Sequence, residues 1–195
     1  MEAAVQNKKS PLDNYYVRII GTLLVIAAAV AVLLALVNMV TKDTIAQHAA
    51  EKKAAAMEVV MPGVEDYDVL PIPEFENAKD IKEILLAKTA AGEMLGYCVQ
   101  TGTNGNDGEI QLMVGITPDG EVTKVSILSQ KETMYTNKHG ELIEQFAGMA
   151  DSVALKVDGG EVNAISGATI TSRAVTKGVN SALKAVQATM EGGAE

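Results

Sequence analysis

The chain has 195 residues, a formal net charge of −9, one cysteine and two histidines, a length that accommodates one ordinary domain with an appendage. The acidic balance, with no basic stripe, argues against a nucleic-acid binder, which needs clustered Lys and Arg. A lone Cys98 forms no internal disulfide and by itself holds neither an iron–sulfur cluster nor a structural zinc, so redox chemistry has to come from a bound group.

The first element is apolar. No charged residue falls between Arg18 and Lys42, and Ile19 to Val40 is almost entirely Ala, Val, Leu and Ile. Twenty-two residues at 1.5 Å rise span roughly 33 Å, enough for a hydrocarbon core of about 30 Å. A cleavable signal peptide has a shorter apolar core with small residues at its end. This run ends in Val37-Asn38-Met39-Val40, which predicts a retained signal anchor over residues 19–41. Lys8, Lys9 and Arg18 precede it, and Lys42, Lys52 and Lys53 follow it, so flanking charge sets little bias. The short tail of residues 1–18 and the interfacial pair Tyr15–Tyr16 place the N-terminus in the cytoplasm and the rest outside the cell membrane.

Residues 42–63 are Ala-rich and end at Pro62-Gly63, a helical stalk with a clear stop in which His48 is a solvated residue. Residues 64–80 are acidic and broken by Pro71 and Pro73, which reads as an extended connector. A domain is predicted over residues 81–190, with a short tail at 191–195. Ile81 to Thr89 fits either a strand or a short helix. Ala91-Gly92-Glu93 turns the chain into a strand from Met94 to Thr101, and Gly102 to Gly108 is a loop of turn formers. Glu109 to Ile116 alternates, with Ile110, Leu112, Val114 and Ile116 on one face. Pro118-Asp119-Gly120 is a hairpin turn into Val122 to Leu128. Leu142, Ile143, Phe146 and Met149 mark a short amphipathic helix, Val153 to Val157 reads as a further strand, and Val162 to Ile165 leads out of the Asp158–Glu161 turn. The class is α+β: a single transmembrane helix followed by an extracytoplasmic domain with an antiparallel sheet and flanking helices.

The last segment opens with Ser166-Gly167-Ala168-Thr169-Ile170-Thr171-Ser172. Four hydroxyls crowd around a Gly-Ala pair, and Val175, Val179, Ala182, Leu183 and Val186 then recur at helical spacing. Two readings fit these residues alone. One is an ordinary Ser/Thr cap; the other is a helix N-terminus whose free N–H groups receive a phosphate.

The apolar anchor, the Met61-Pro62-Gly63 stop, the Glu109–Gly120 hairpin arm, Glu144-Gln145-Phe146 and the Ser166–Ser172 run occur in this order. Together, over about residues 19–190, they resemble the FMN-binding domain family, specifically the G subunit of the Rnf ion-translocating electron-transport complex. The C subunit of the sodium-translocating NADH:quinone oxidoreductase is the close relative. The resemblance implies an electron-relay subunit with covalent FMN, in a membrane complex coupling ferredoxin:NAD electron transfer to Na⁺ or H⁺ translocation. It implies a phosphoester link to Thr169, installed by a flavin transferase that uses FAD as donor. Ser166, Gly167, Ala168, Thr171 and Ser172 would then surround the phosphate, and Glu132, Thr133 and Tyr135 would face the flavin. The partners implied are the other membrane subunits of the complex.

This chain departs from the family pattern twice. Asn163 stands where the family has an acidic residue, and Met134-Tyr135-Thr136-Asn137 replaces Pro-Gly-Leu-Gly after Glu132-Thr133. Tyr135 either stacks on the isoalloxazine with Met134 at its edge, or the loop is solvated. Cys98 reads as a buried inert thiol, His139 as a loop histidine, and Glu65, Asp66, Asp68, Glu74 and Glu76 as a solvated acidic cluster. The alternatives to an electron relay in a complex are a membrane-anchored binding or assembly module without covalent flavin, and a free-standing flavoprotein shuttle.

Overall fold

The computed structural model describes residues 15–133 and 139–192, and the chain divides into two compact units, Met1–Ala49 and Ala50–Glu195. The expectations for Lys8, Lys9 and the Met134–Asn137 loop, Tyr135 included, lie outside the described residues. Helix α1 (Tyr15–Val60) contains a stretch long and apolar enough to cross a membrane. Within the first unit its described side chains are exposed, as lipid-facing residues would be. Tyr15 and Tyr16 pack edge to face, ring centroids 5.7 Å apart.

The second unit is built on a five-stranded antiparallel meander in chain order: β1 (Asp66–Leu70), β2 (Ile81–Lys88), β3 (Met94–Asn104), β4 (Glu109–Ile116) and β5 (Val122–Ser129). Because strand side chains alternate across the sheet, Ile110, Leu112, Val114 and Ile116 share one face as the sequence predicts. Helix α3 (Thr169–Gly192) covers that face with Val175, Val179, Ala182, Leu183 and Val186, all buried. Helix α2 (His139–Ile143) and the 3-10 turn Glu144–Phe146 add Leu142 and Phe146 to the same core.

Leu85, Cys98 and Met113 point to the other face and are buried under Ala56, Met57, Val60 and Met61 at the end of α1. The last turns of the predicted stalk are thus a layer of the fold. Their Ala-rich composition conceals a Met57/Val60/Met61 stripe at helical spacing. Gly115 makes this docking possible: a Cβ there would collide with the Val60 carbonyl and the Thr123 hydroxyl, which itself donates to that carbonyl.

Three local expectations change. Residues 66–70 of the acidic connector pair with β2 as an exposed edge strand, extended as expected but part of the sheet. The ambiguous Ile81–Thr89 segment is a strand, its pattern blurred because Ile84 and Leu85 are buried on opposite faces. Val153 to Val157 is not a strand: Leu155 makes one parallel bridge to Val162, and Lys156–Asp158 is a 3-10 turn. Side chains of α3 hold this segment instead. Asn180 accepts from the Val153 N–H and donates to its carbonyl, both at 2.7 Å, while Arg173 makes two hydrogen bonds to Asp158 at 2.9 and 2.7 Å.

Gly115→Ala is expected to destabilise the second unit by about 1–3 kcal/mol through overpacking against α1. Urea unfolding of the detergent-solubilised chain, followed by circular dichroism, checks this. A change below about 0.5 kcal/mol, the range of neutral surface substitutions, would contradict the docking.

Candidate functional site

Helix α3 begins from a tight turn. The Ala168 N–H donates to Ile165 C=O at 3.0 Å, and Gly167 takes a φ of 81°, the left-handed value that suits glycine at the third position of such a turn. The first helical bond runs from the Ser172 N–H to Ala168 C=O at 2.9 Å, which makes Ala168 the N-cap. Alanine has no oxygen with which to cap. Among the described residues nothing accepts from the N–H groups of Thr169, Ile170 and Thr171, three of the four donors a helix start leaves open.

The four hydroxyls separate by environment. Ser172 is fully buried: its Oγ accepts from the Ile165 N–H at 3.1 Å and donates to Ala168 C=O at 2.9 Å, stapling the turn to the helix. Thr171 is buried and donates to Glu132 Oε2. Ser166 is exposed and Thr169 half-buried, and neither hydroxyl has a partner among the described residues. Thr169, at the first helical position, lines a cavity of about 270 Å³ between Asn106–Asp107, Glu132 and the Gly167–Thr171 run. A larger depression of about 530 Å³ lies between Gly148–Ala154 and Gly159–Glu161, where Ser152 is the one hydroxyl residue of the lining.

Glu132 and Asp107 face this cavity and clasp each other's segments. The Asp107 N–H donates to Glu132 Oε1 at 2.7 Å, while the Thr133 N–H and hydroxyl donate to Asp107 Oδ2 at 3.2 and 2.8 Å. Gly105 leaves the necessary room, since a Cβ there would sit 2.5 Å from Glu132 Oε1. The Thr133 hydroxyl and N–H hold the Asp107 carboxyl below its ordinary range, helped by the Asn106 amide. Both carboxylates are therefore engaged by donors beside the uncapped helix end. Thr133 takes no direct part in the cavity lining.

Asn163 is exposed and belongs to a different contact. Its backbone N–H and its Nδ2 donate to Gln145 Oε1 at 2.8 and 3.0 Å, and Gln145 Nε2 returns a bond to Asn163 C=O at 3.3 Å. An aspartate there would keep the backbone bond and lose the side-chain donor. The Asp107 and Gln145 roles are missed by sequence reasoning. The Asn-Gly-Asn-Asp-Gly run marks a turn but carries no sign of a partner 25 residues away. Cys98 is buried as expected, and burial pushes its thiol up to about 12. No group of three or more His, Cys, Asp or Glu among the described residues could hold a metal ion.

Comparison with known proteins matches residues 105–184 to the FMN-binding domain family and residues 21–60 to the RnfG N-terminal region. The chain is 34% identical to the G subunit of the Na⁺-translocating ferredoxin:NAD⁺ oxidoreductase complex of Acetobacterium woodii, covering 85% of this chain and 88% of that protein. It is 33% identical to the G subunit of an ion-translocating oxidoreductase complex from Methanosarcina acetivorans, over 88% of this chain and 94% of the other. The G subunit of a proton-translocating ferredoxin:NAD⁺ oxidoreductase complex from Clostridium ljungdahlii is 28% identical over 80% of this chain and 83% of that one. The matched domain begins at Gly105 and includes Asp107, Glu132 and Thr169.

The depressed Asp107 carboxyl fixes the sign of a pH effect. Its contribution to the clasp is present above the ordinary carboxylate value near 3.9 and is lost as pH falls through the lowered value in the folded protein. Thr133→Val is expected to raise the Asp107 titration midpoint, read by side-chain NMR; an unmoved midpoint would contradict the clasp.

Proposed function

This chain belongs to the family of G subunits of ion-translocating oxidoreductase complexes, and we propose that it is the FMN-carrying electron relay of such a complex, with the flavin joined to Thr169 by a phosphoester. The complex couples electron transfer between ferredoxin and NAD to translocation of Na⁺ or H⁺, the two ions named for the relatives.

One observation carries the attachment site. Thr169 has a hydroxyl without a partner among the described residues and lines the cavity at the uncapped start of α3. Three unpaired N–H groups and the positive end of the helix dipole favour the remaining negative charge of a phosphodiester, typically by about 0.3–1 kcal/mol. Gly167 and Ala168 keep bulk away from the approach. The cavity, about 270 Å³, falls below the roughly 300–1,000 Å³ of small-molecule pockets. It suits the phosphate and the start of the ribityl chain, and leaves the ring outside, beside the exposed Ile170.

Attachment balances without an oxidant. Thr169 Oγ attacks the FMN-side phosphorus of FAD, the new O–P bond replaces the bond to AMP, AMP leaves, and the threonine proton is released. Among the described residues no side chain is hydrogen-bonded to the Thr169 hydroxyl, which supports reading this chain as the substrate of a flavin transferase. Once attached, FMN supplies the electron chemistry, and the protein supplies tether, position and polarity. A covalent tether has most value outside the cytoplasm, where lost FMN is not replaced. That fits residues 19–41 spanning the cell membrane, the N-terminus inside and the domain outside.

Co-expression with a flavin transferase is expected to give a denatured band with flavin fluorescence that Thr169→Val abolishes and Ser166→Ala retains. Fluorescence surviving Thr169→Val would remove the assignment. The inert Cys98 also permits a sidedness test. Asp119→Cys should be labelled by a membrane-impermeant maleimide in right-side-out vesicles, whereas labelling only in inverted vesicles would reverse the orientation.

A further inference from the structure

The Thr171 hydroxyl has one proton and gives it to a carboxylate that is 4% exposed. The same carboxylate receives the Asp107 N–H through its other oxygen, at 2.7 Å. Glu132 therefore joins three separate pieces of chain at one point: the β3–β4 loop, the segment following β5, and the third residue of α3. These pieces are the walls of the Thr169 cavity. Asp107 locks the joint from the other side through Thr133, and Gly105 is cut away to admit the carboxylate. A buried carboxylate is costly unless its oxygens are well supplied with donors, and here donors from two walls supply them.

We propose that Glu132 is a positioning residue for flavin attachment: it fixes the first turn of α3 so that the Thr169 hydroxyl faces the cavity. The inference rests on Thr169 as the acceptor and adds a role for a group whose hydrogen bonds run to Thr171 and Asp107 instead of the acceptor hydroxyl. The covalent step is unchanged: Thr169 Oγ bonds to the FMN-side phosphorus of FAD, the bond to AMP breaks, and the threonine proton leaves.

The chemistry of the joint predicts which replacement rescues it. In Glu132→Gln the amide oxygen accepts from the Asp107 N–H and the amide nitrogen donates to Thr171 Oγ1, so the joint persists with one bond reversed. Glu132→Ala removes the acceptor of both the Thr171 hydroxyl and the Asp107 N–H. Thr171→Val breaks the joint from the helix side and leaves the carboxylate in place.

The test uses the purified full-length chain in detergent with purified flavin transferase and FAD, and follows the initial rate of protein-bound flavin. Glu132→Ala is expected to slow labelling about tenfold, as for the loss of a charge-assisted hydrogen bond from a positioned acceptor. Glu132→Gln should stay within about threefold of the unaltered chain, Thr171→Val should slow labelling, and peptide mapping should keep the flavin on Thr169 throughout. Labelling of Glu132→Ala at the unaltered rate, or Glu132→Gln as slow as Glu132→Ala, would overturn the role of Glu132. If Glu132→Ala does not fold, Thr171→Val decides, and an unaltered rate there overturns it equally. Failure of the unaltered chain to label, or flavin persisting in Thr169→Val, would instead overturn the acceptor assignment, and the two failures are told apart by those control reactions.

Discussion

A helix must find partners for its first N–H groups, and α3 begins without a side chain to supply them. With alanine as its N-cap, the helix forgoes the roughly 0.5–2 kcal/mol that Ser, Thr, Asp or Asn would contribute there. The deficit is offset further along, where Val175, Val179, Ala182 and Val186 are buried against the sheet at about 1.5–3 kcal/mol for each large side chain. A helix anchored along its length tolerates an open start. That tolerance leaves three donors open on residues that line a cavity, one of them a half-buried threonine.

The surrounding structure keeps the open start in one place. Ser172 staples the entering turn, Glu132 joins the first turn to the β3–β4 loop, and Arg173 holds the 3-10 turn at Asp158. Each device is a side chain from the first five residues of α3 or its direct partner. The sheet is fixed from its other face by the end of α1, where Met57, Val60 and Met61 close over Cys98 and Met113. The helix that carries the apolar stretch thus ends as a structural layer of the domain holding the site.

Much of this was legible in the residues themselves. The uncharged run after Arg18, the alternation of β4 and the 3.6-residue spacing of α3 each reflect one dominant solvent, water or lipid, acting on one face. Legibility failed where two environments act at once. β2 is buried on both faces, so Ile84-Leu85 hides its period; β1 is an edge strand whose Asp66 and Asp68 face solvent. The segment around Leu155 has strand-like residues but takes its hydrogen bonds from Asn180 on α3. In the site, the Ser166–Ser172 run could be found and the family resemblance pointed to Thr169, but the residues alone did not rank the hydroxyls. Thr171 is held by Glu132, 39 residues away, and Ser172 by a turn that only the folded chain forms. The segment after Thr133, where the chain leaves its family's pattern, lies outside the described residues and adds nothing to either side of that comparison.

One hydroxyl at the start of α3 decides whether the chain carries its flavin as proposed. Trypsin cleaves after Lys156 and Arg173, releasing Val157–Arg173 with both accessible hydroxyls, Ser166 and Thr169, on one peptide. Tandem mass spectrometry of that peptide, from protein purified out of its native membranes, is the most direct measurement. The expected outcome is a mass increase equal to FMN less water, with fragment ions placing it on Thr169. An unmodified peptide, or a flavin placed on Ser166, would contradict it.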